Sequence, residues 1–275
     1  MEFNTKPFFC QLNNRGLIKV GGEARYDFLQ GLITNDINLL KTQNCVYSCL
    51  LTPQGKFLHD FFMTEHDEEI WLDCEGGARA EDLKKRLMIY KLRAKVTLDC
   101  DPDYTIYACL NLATEDISAA NIALYKDPRH EAMGYRAYDR PETLPEDDAA
   151  QWDHNRIYNT VPDGSRDMPP ELSTLMDYNI DRLNGVSFDK GCFIGQELTA
   201  RMNYRGLVKK RLRTIKFTAP DTGTAQNDDG VSVVLNFGDD ATLKTVEGKK
   251  AGNLLSHNEA YGLAMLRNDA FVTAS

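Results

Sequence analysis

The run Lys190-Gly191-Cys192-Phe193-Ile194-Gly195-Gln196-Glu197 sets one thiol between two glycines and follows it with an amide and a carboxylate. A thiolate is a nucleophile, a redox group or a ligand for iron. Glycine admits positive φ and lets a ligand approach the backbone, and an amide beside a carboxylate can hold the polar edge of a planar ring. Lys190 and a helix start just after Cys192 place positive charge near the sulfur, with Glu197 opposing it if it points back. The same run also reads as a tight strand-to-helix turn around a core cysteine, since free cysteine is among the most buried residue types. Gln196 and Glu197 read equally as first-turn helix residues.

Seven cysteines, at 10, 45, 49, 74, 100, 109 and 192, form an odd, scattered set without a C-x-x-C pair. That argues against a disulfide framework. It also argues against a metal centre made by this chain alone, which needs about four ligands; iron at Cys192 would be shared with a partner. Cys45 and Cys49 lie in strand-like sequence and read as core. His59 and Asp60 are an acid-base pair by type, but adjacent strand residues point to opposite faces. Arg201, Arg205, Lys209, Lys210, Arg211, Arg213 and Lys216 form a basic stripe without an acid. It could hold the carboxylate tail of a folate, contact RNA, or balance acids elsewhere; a formal net charge of -9 argues against nucleic acid.

Several elements must position these groups. Arg15 to Val20 reads as a strand, followed by a helix with Tyr26, Leu29 and Ile33 on one face that ends near Thr34-Asn35-Asp36. Cys45 to Leu51, Lys56 to Thr64 and Ile70 to Cys74 read as an antiparallel meander. Arg79 to Tyr90 reads as a helix with Asp82/Arg86 and Glu81/Lys85 pairs, and Ala94 to Leu98 and Tyr104 to Leu110 as strands. Pro141 to Asp148 reads as an exposed connection, Trp152 to Tyr158 as helix, Leu172 to Asn179 as irregular, and Gln196 to Asn203 as a short helix. Five strands between Leu212 and Leu266, with turn residues at 220–230, suit a small β-barrel. No apolar run approaches a membrane span, and the N-terminal residues have neither signal-peptide nor transit-peptide character. Cytoplasmic residence without a membrane partner is the expectation.

The segment from Lys190 to Arg211, KGCFIGQELTARMNYRGLVKKR, closely resembles the signature of the folate-binding YgfZ family, relatives of the glycine-cleavage T-protein that serve iron-sulfur proteins. A second block, Phe28 to Ile37, resembles the family's F-x-Q-G-x-x-T-x-D pattern. The resemblance is weakest around residues 111 to 150. It implies an α+β fold, a T-protein-like three-part cloverleaf around a folate pocket with a C-terminal β-barrel. The implied division is a discontinuous body of residues 1–100 and 150–207, a middle segment of 101–149, and a barrel of 208–275.

The resemblance further implies an accessory factor for synthesis or repair of iron-sulfur clusters, with Cys192 as the functional thiol and tetrahydrofolate or another reduced folate as cofactor. Its partners would be iron-sulfur client or assembly proteins. Folate contacts carried over are Lys190, Gly191, Gln196, Glu197, Arg201, Arg205, Asp60 and Tyr158; no metal ligand set is implied. The chain departs from the T-protein pattern where a tandem aspartate is expected, since His59 precedes Asp60. It departs again where a pterin-holding glutamate is expected, around Arg156 to Pro162. The stretch Val161 to Asp167 resembles a V-P-[DE]-G-x-R-D run of the mitochondrial iron-sulfur assembly branch. The alternative reading is a tetrahydrofolate-dependent aminomethyltransferase of the T-protein type, motivated by Asp60.

Overall fold

A computed structural model describes residues 4–238 and 241–271. Three β-structures meet in it. The first is an antiparallel sheet of β2 (Arg15–Gly21), β3 (Val46–Leu51), β4 (Phe57–His66), β5 (Glu69–Glu75) and β6 (Thr97–Asp101), in the order β3-β4-β5-β2-β6. The second joins β1 (Phe8–Leu12), β7 (Ile106–Leu110), β8 (Tyr125–Lys126) and β9 (Tyr135–Ala137), in the order β1-β7-β9-β8. The third is a closed barrel of β10 (Lys210–Ala219), β11 (Thr222–Gln226), β12 (Ser232–Phe237), β13 (Thr242–Thr245), β14 (Lys250–His257) and β15 (Tyr261–Arg267). Helices α1 (Arg25–Gln30), α2 (Ala78–Lys91), α3 (Thr114–Ala119), α4 (Ala149–Tyr158), α5 (Gly164–Asp167) and α6 (Gln196–Tyr204) connect them.

The meander reading holds because the first sheet is buried on both faces. Phe61, Met63, Ile70 and Leu72 pack beneath Phe28 and Leu29 of α1 and Leu83 and Leu87 of α2. Tyr47, Cys49, Phe57 and Phe62 face the centre of the molecule, with Trp152 and Ile157 of α4 in the same core. Helix α1 is shorter than its apolar spacing suggests. The carbonyls of Gln30, Ile33 and Asn35 accept hydrogen bonds from Lys190 Nζ at 2.7, 2.7 and 2.8 Å, so the chain leaves the helix to present them.

Other expectations shift. The strand expected at 94–98 runs from Thr97, and Leu175–Tyr178 forms a 3-10 turn within the stretch read as irregular. Residues 8–12, grouped with the body from sequence, pair with β7 of the second sheet. Strand β11 lies in the 220–230 stretch read as turn. Its Gly223 is a packing residue, since a Cβ there would meet Ile215 Cγ2 at 2.5 Å. The barrel is fastened to the body through Asp167 of α5, which accepts from the Ser256 hydroxyl at 2.5 Å and from Arg156 Nη1 at 2.7 Å.

Candidate functional site

Two features compete for the function: a cavity where the lobes meet and the exposed cysteine loop. The cavity is about 260 Å³, with Arg15, Asp60, Phe62, Arg129, Arg136 and the buried Trp152 in its walls and Asp153 and Arg166 also lining it. Alternation along β4 sends Asp60 inward, where Tyr47 Oη donates to Asp60 Oδ2 at 3.0 Å. It sends His59 the other way, to Asp82 of α2 at 2.8 Å. The two are therefore not a dyad. Burial, with Arg79 second, pushes His59 down to about 4.

The walls are charged and largely buried. Asp73 accepts from Arg15 Nε at 2.8 Å and from Arg136 Nε at 2.5 Å. Arg136 lies 3.9 Å from the Phe62 ring centroid, and Arg129 lies 4.6 Å from the same ring while donating to Asp127 at 2.8 and 3.1 Å. Arg129 also lines a second cavity of about 950 Å³, which opens between the 126–131 segment and residues 184–189.

Among the described residues three buried polar atoms of the smaller cavity's lining have no hydrogen-bond partner: Asp60 Oδ1, Trp152 Nε1 and Arg136 Nη2, the last of which is ion-paired with Asp73. Such atoms are costly unless something pairs with them. Burial, assisted by the charge of Glu75, raises Asp60 from 3.8 to about 6, against the pull of Arg15, Arg129 and the Tyr47 hydroxyl. The folded protein thus holds this proton more tightly than the unfolded chain, and Asp60 destabilises the fold progressively as pH rises from about 4 through about 6. We expect Asp60→Asn to raise stability at pH 7 by about 2 kcal/mol and to change it little below pH 4. Thermal melts of both forms across pH check this; parallel curves would remove Asp60 as the titrating group.

The cysteine loop is built by packing. Gly195 has φ 78°, and a Cβ there would lie 2.4 Å from Thr52 O, beneath the β3–β4 turn. Gly55 in that turn has φ 79°, and its Cβ would meet Leu198 Cβ at 2.6 Å. Gly191 needs no such reading: its φ is not in the left-handed region and a side chain there would enter open space. Lys190 threads its ammonium into the carbonyls of Gln30, Ile33 and Asn35 at the end of α1, so it anchors the loop there and its charge is not directed at the sulfur. Burial moves it down to about 8, with Asp36 opposing. Cys192 stands exposed at the top of this loop. Of the other six thiols, five are buried and Cys100 is half-buried. Burial pushes Cys10 and Cys109 up to about 12.

The remaining sequence candidates do not gather around either cavity. Gln196 folds back to accept from Phe193 N at 3.1 Å, capping its own loop. Glu197 is 87 % exposed and sits 3.7 Å from Arg201, itself half-exposed. Arg205 is an exposed residue at the end of α6. Tyr158 is half-exposed on the outer side of α4, its ring edge-on to Tyr261 at 5.2 Å. The basic stripe is largely matched by acids, Lys210 with Asp177, Arg211 with Asp181 and Arg213 with Asp228. Among the carried-over folate contacts, Asp60 alone lines the central cavity. Sequence reasoning missed Trp152, Arg129 and Arg136. The two arginines fall where the family resemblance is weakest, and only the apolar setting of Arg136 in Tyr135-Arg136-Ala137 signals a buried cation. Among the described residues no group of three or more His, Cys, Asp or Glu side chains is placed to hold a metal.

Comparison with known proteins agrees with this arrangement. The CAF17 C-terminal beta-barrel domain family matches residues 209–275. The human iron-sulfur cluster assembly factor IBA57, mitochondrial, is 32 % identical, the match covering 93 % of this chain and 76 % of the human protein. The chain belongs to the IBA57 family of iron-sulfur cluster assembly factors. The mouse IBA57 is 30 % identical over 94 % of this chain and 77 % of its own length. The glycine cleavage system aminomethyltransferase T of Bartonella henselae superposes with a TM-score of 0.72 at 14 % identity, over 95 % of this chain and 78 % of that one. The T-protein fold with its C-terminal barrel is thereby shown, while the finer YgfZ label is a neighbouring branch.

A reduced folate is what the sequence resemblance implies, and the residues present bear on it. Its bicyclic head carries a guanidine-like edge that suits the unpaired Asp60 oxygen, and a ring acceptor suits Trp152 Nε1. About 260 Å³ is below the usual range of about 300–1,000 Å³ for a drug-sized ligand. That volume has room for a bicyclic head but not for a whole folate. At the mouth Asp148, Asp153 and Asp163 oppose a carboxylate tail, and Arg166 is held by Asp153 at 2.6 and 3.0 Å.

Proposed function

We propose that this chain serves the assembly or repair of iron-sulfur clusters in client proteins and that Cys192 is the thiol it contributes. The observation that carries this reading is the isolation of Cys192: it is the exposed cysteine among seven, on a loop held by the Lys190 anchor and the Gly55–Gly195 contact. One thiolate is one ligand of the roughly four that a cluster needs. The others come from a carrier or client, and the thiol releases its proton when it binds iron. The cluster is then cargo, held between two proteins and passed on. We expect Cys192→Ala to keep its melting temperature within about 1 °C, since the side chain is exposed and unpacked, yet fail to restore iron-sulfur enzyme activity in a strain lacking the protein. Full rescue would remove the thiol from the function.

A reduced folate, in this reading, seats its pterin head beside Asp60. When bound it supplies one-carbon or reducing chemistry; Asp60 and Trp152 orient it and Phe62 gives its ring an apolar wall. Anaerobic calorimetry should find tetrahydropterin and tetrahydrofolate binding within about threefold of each other, because the tail meets no free cation, and Asp60→Asn about tenfold weaker for both. A tail-dependent affinity would place the folate elsewhere. The transferase alternative lacks its second acid, since position 59 is a histidine, and that histidine is engaged with Asp82 on the opposite face of the sheet.

A further inference from the structure

The C-terminal end of α2 carries an apolar tip that the described residues leave uncovered: Met88, Ile89 and Leu92 are 46 %, 68 % and 87 % exposed. Residues 83–98 hold six lysines and arginines and no acid, in a chain of formal charge -9. Arg86 is tied to Asp82 and Glu171, and Lys95 to Glu23. Among the described residues Lys84, Lys85, Lys91 and Arg93 form no ion pair. Leu92 has φ 42° and ψ -109°, a backbone conformation that disfavours any side chain, and here it carries a leucine into solvent.

We propose that this tip docks on an anionic lipid surface, with Met88, Ile89 and Leu92 entering the interfacial layer and Lys85, Lys91 and Arg93 meeting lipid phosphates. Apolar side chains ringed by cations are what an interfacial anchor requires. A stable protein partner would need about 800 Å² from this side and polar groups of fixed geometry, whereas three apolar side chains suit a fluid surface that needs no shape match. The contact is peripheral, since no helix of the described residues is long and apolar enough to cross a membrane. It also leaves the thiol loop on another part of α1: Lys95 O accepts from Ala24 N at its start, and Gly31 O accepts from Ile194 N at its end.

Co-sedimentation of the full chain with vesicles tests this, using phosphatidylcholine alone and phosphatidylcholine mixed with phosphatidylglycerol. Binding is expected to the anionic vesicles, to weaken with salt, and to fall about tenfold in Leu92→Gly and again in Ile89→Ser. Leu92→Gly relieves the backbone at φ 42°, so its melting temperature should hold or rise while binding falls, which separates lost anchoring from lost folding. Replacing Lys85, Lys91 and Arg93 together by Gln should abolish the preference for phosphatidylglycerol. No binding to anionic vesicles at low salt, equal binding to phosphatidylcholine alone, or full binding by Leu92→Gly would each overturn the proposal.

Discussion

Asp73→Ala should destabilise the protein by about 3–5 kcal/mol, the cost of leaving buried cations without their counter-ion. Asp73 is fully buried and is shared: Arg15 donates to one carboxylate oxygen and Arg136 to the other. Both guanidiniums are nearly inaccessible, at 8 % and 2 %, so neither can recover its hydration when the carboxylate is removed. Arg136 would retain only Asp127, at 3.8 Å. The pair links two lobes, since Asp73 lies on β5 of the first sheet and Arg136 on β9 of the second. Loss of the carboxylate therefore weakens the seam and the wall of the Asp60 cavity together. Urea unfolding measures it. A loss below about 1 kcal/mol would mean that water enters the seam and solvates both arginines. Asp73→Asn should be intermediate, because an amide keeps one acceptor but gives up the charge.

That seam was not legible in the sequence. Alternation located β4 and separated His59 from Asp60, because a two-residue period is a local property of the chain. The barrel strands were legible for the same reason, except β11, whose inward positions are Gly223 and Ala225 and so carry no hydrophobic signal. The cysteine run was legible because its residues lie next to one another. Ion pairs between Asp73 and Arg136, 63 positions apart, have no period and no local signature. The same limit explains Lys190, which reads as a charge beside a thiol when only near neighbours are considered, although its partners lie 155 to 160 residues upstream. The two sequence blocks that carry the family resemblance are thus the two ends of one contact, a relation that spacing alone does not reveal.

Lys190→Met should leave the protein folded and release the thiol loop. An ammonium has three protons on one atom, and here three carbonyls converge on it at 2.7–2.8 Å, which a planar guanidinium cannot reproduce. Methionine matches the length of the chain but leaves the three oxygens without that donor. We expect a loss of about 2–3 kcal/mol, near the value of one or two charged hydrogen bonds because the oxygens recover some water. Lys190→Arg should fare little better. The local signature is hydrogen exchange: Ser187 N, bonded to Thr34 O at 3.0 Å, and Ile194 N, bonded to Gly31 O at 3.3 Å, flank the anchor and should lose protection well before the strands of the first sheet do. If Cys192 has the role proposed above, iron-sulfur enzyme activity in the rescued strain should fall about tenfold or more although Cys192 itself is intact, because a ligand on an unfixed loop must be ordered each time it is used. Unchanged exchange at both amides would show that the Gly55–Gly195 contact holds the loop alone. Increased exchange with full activity would show that the function does not depend on a positioned Cys192.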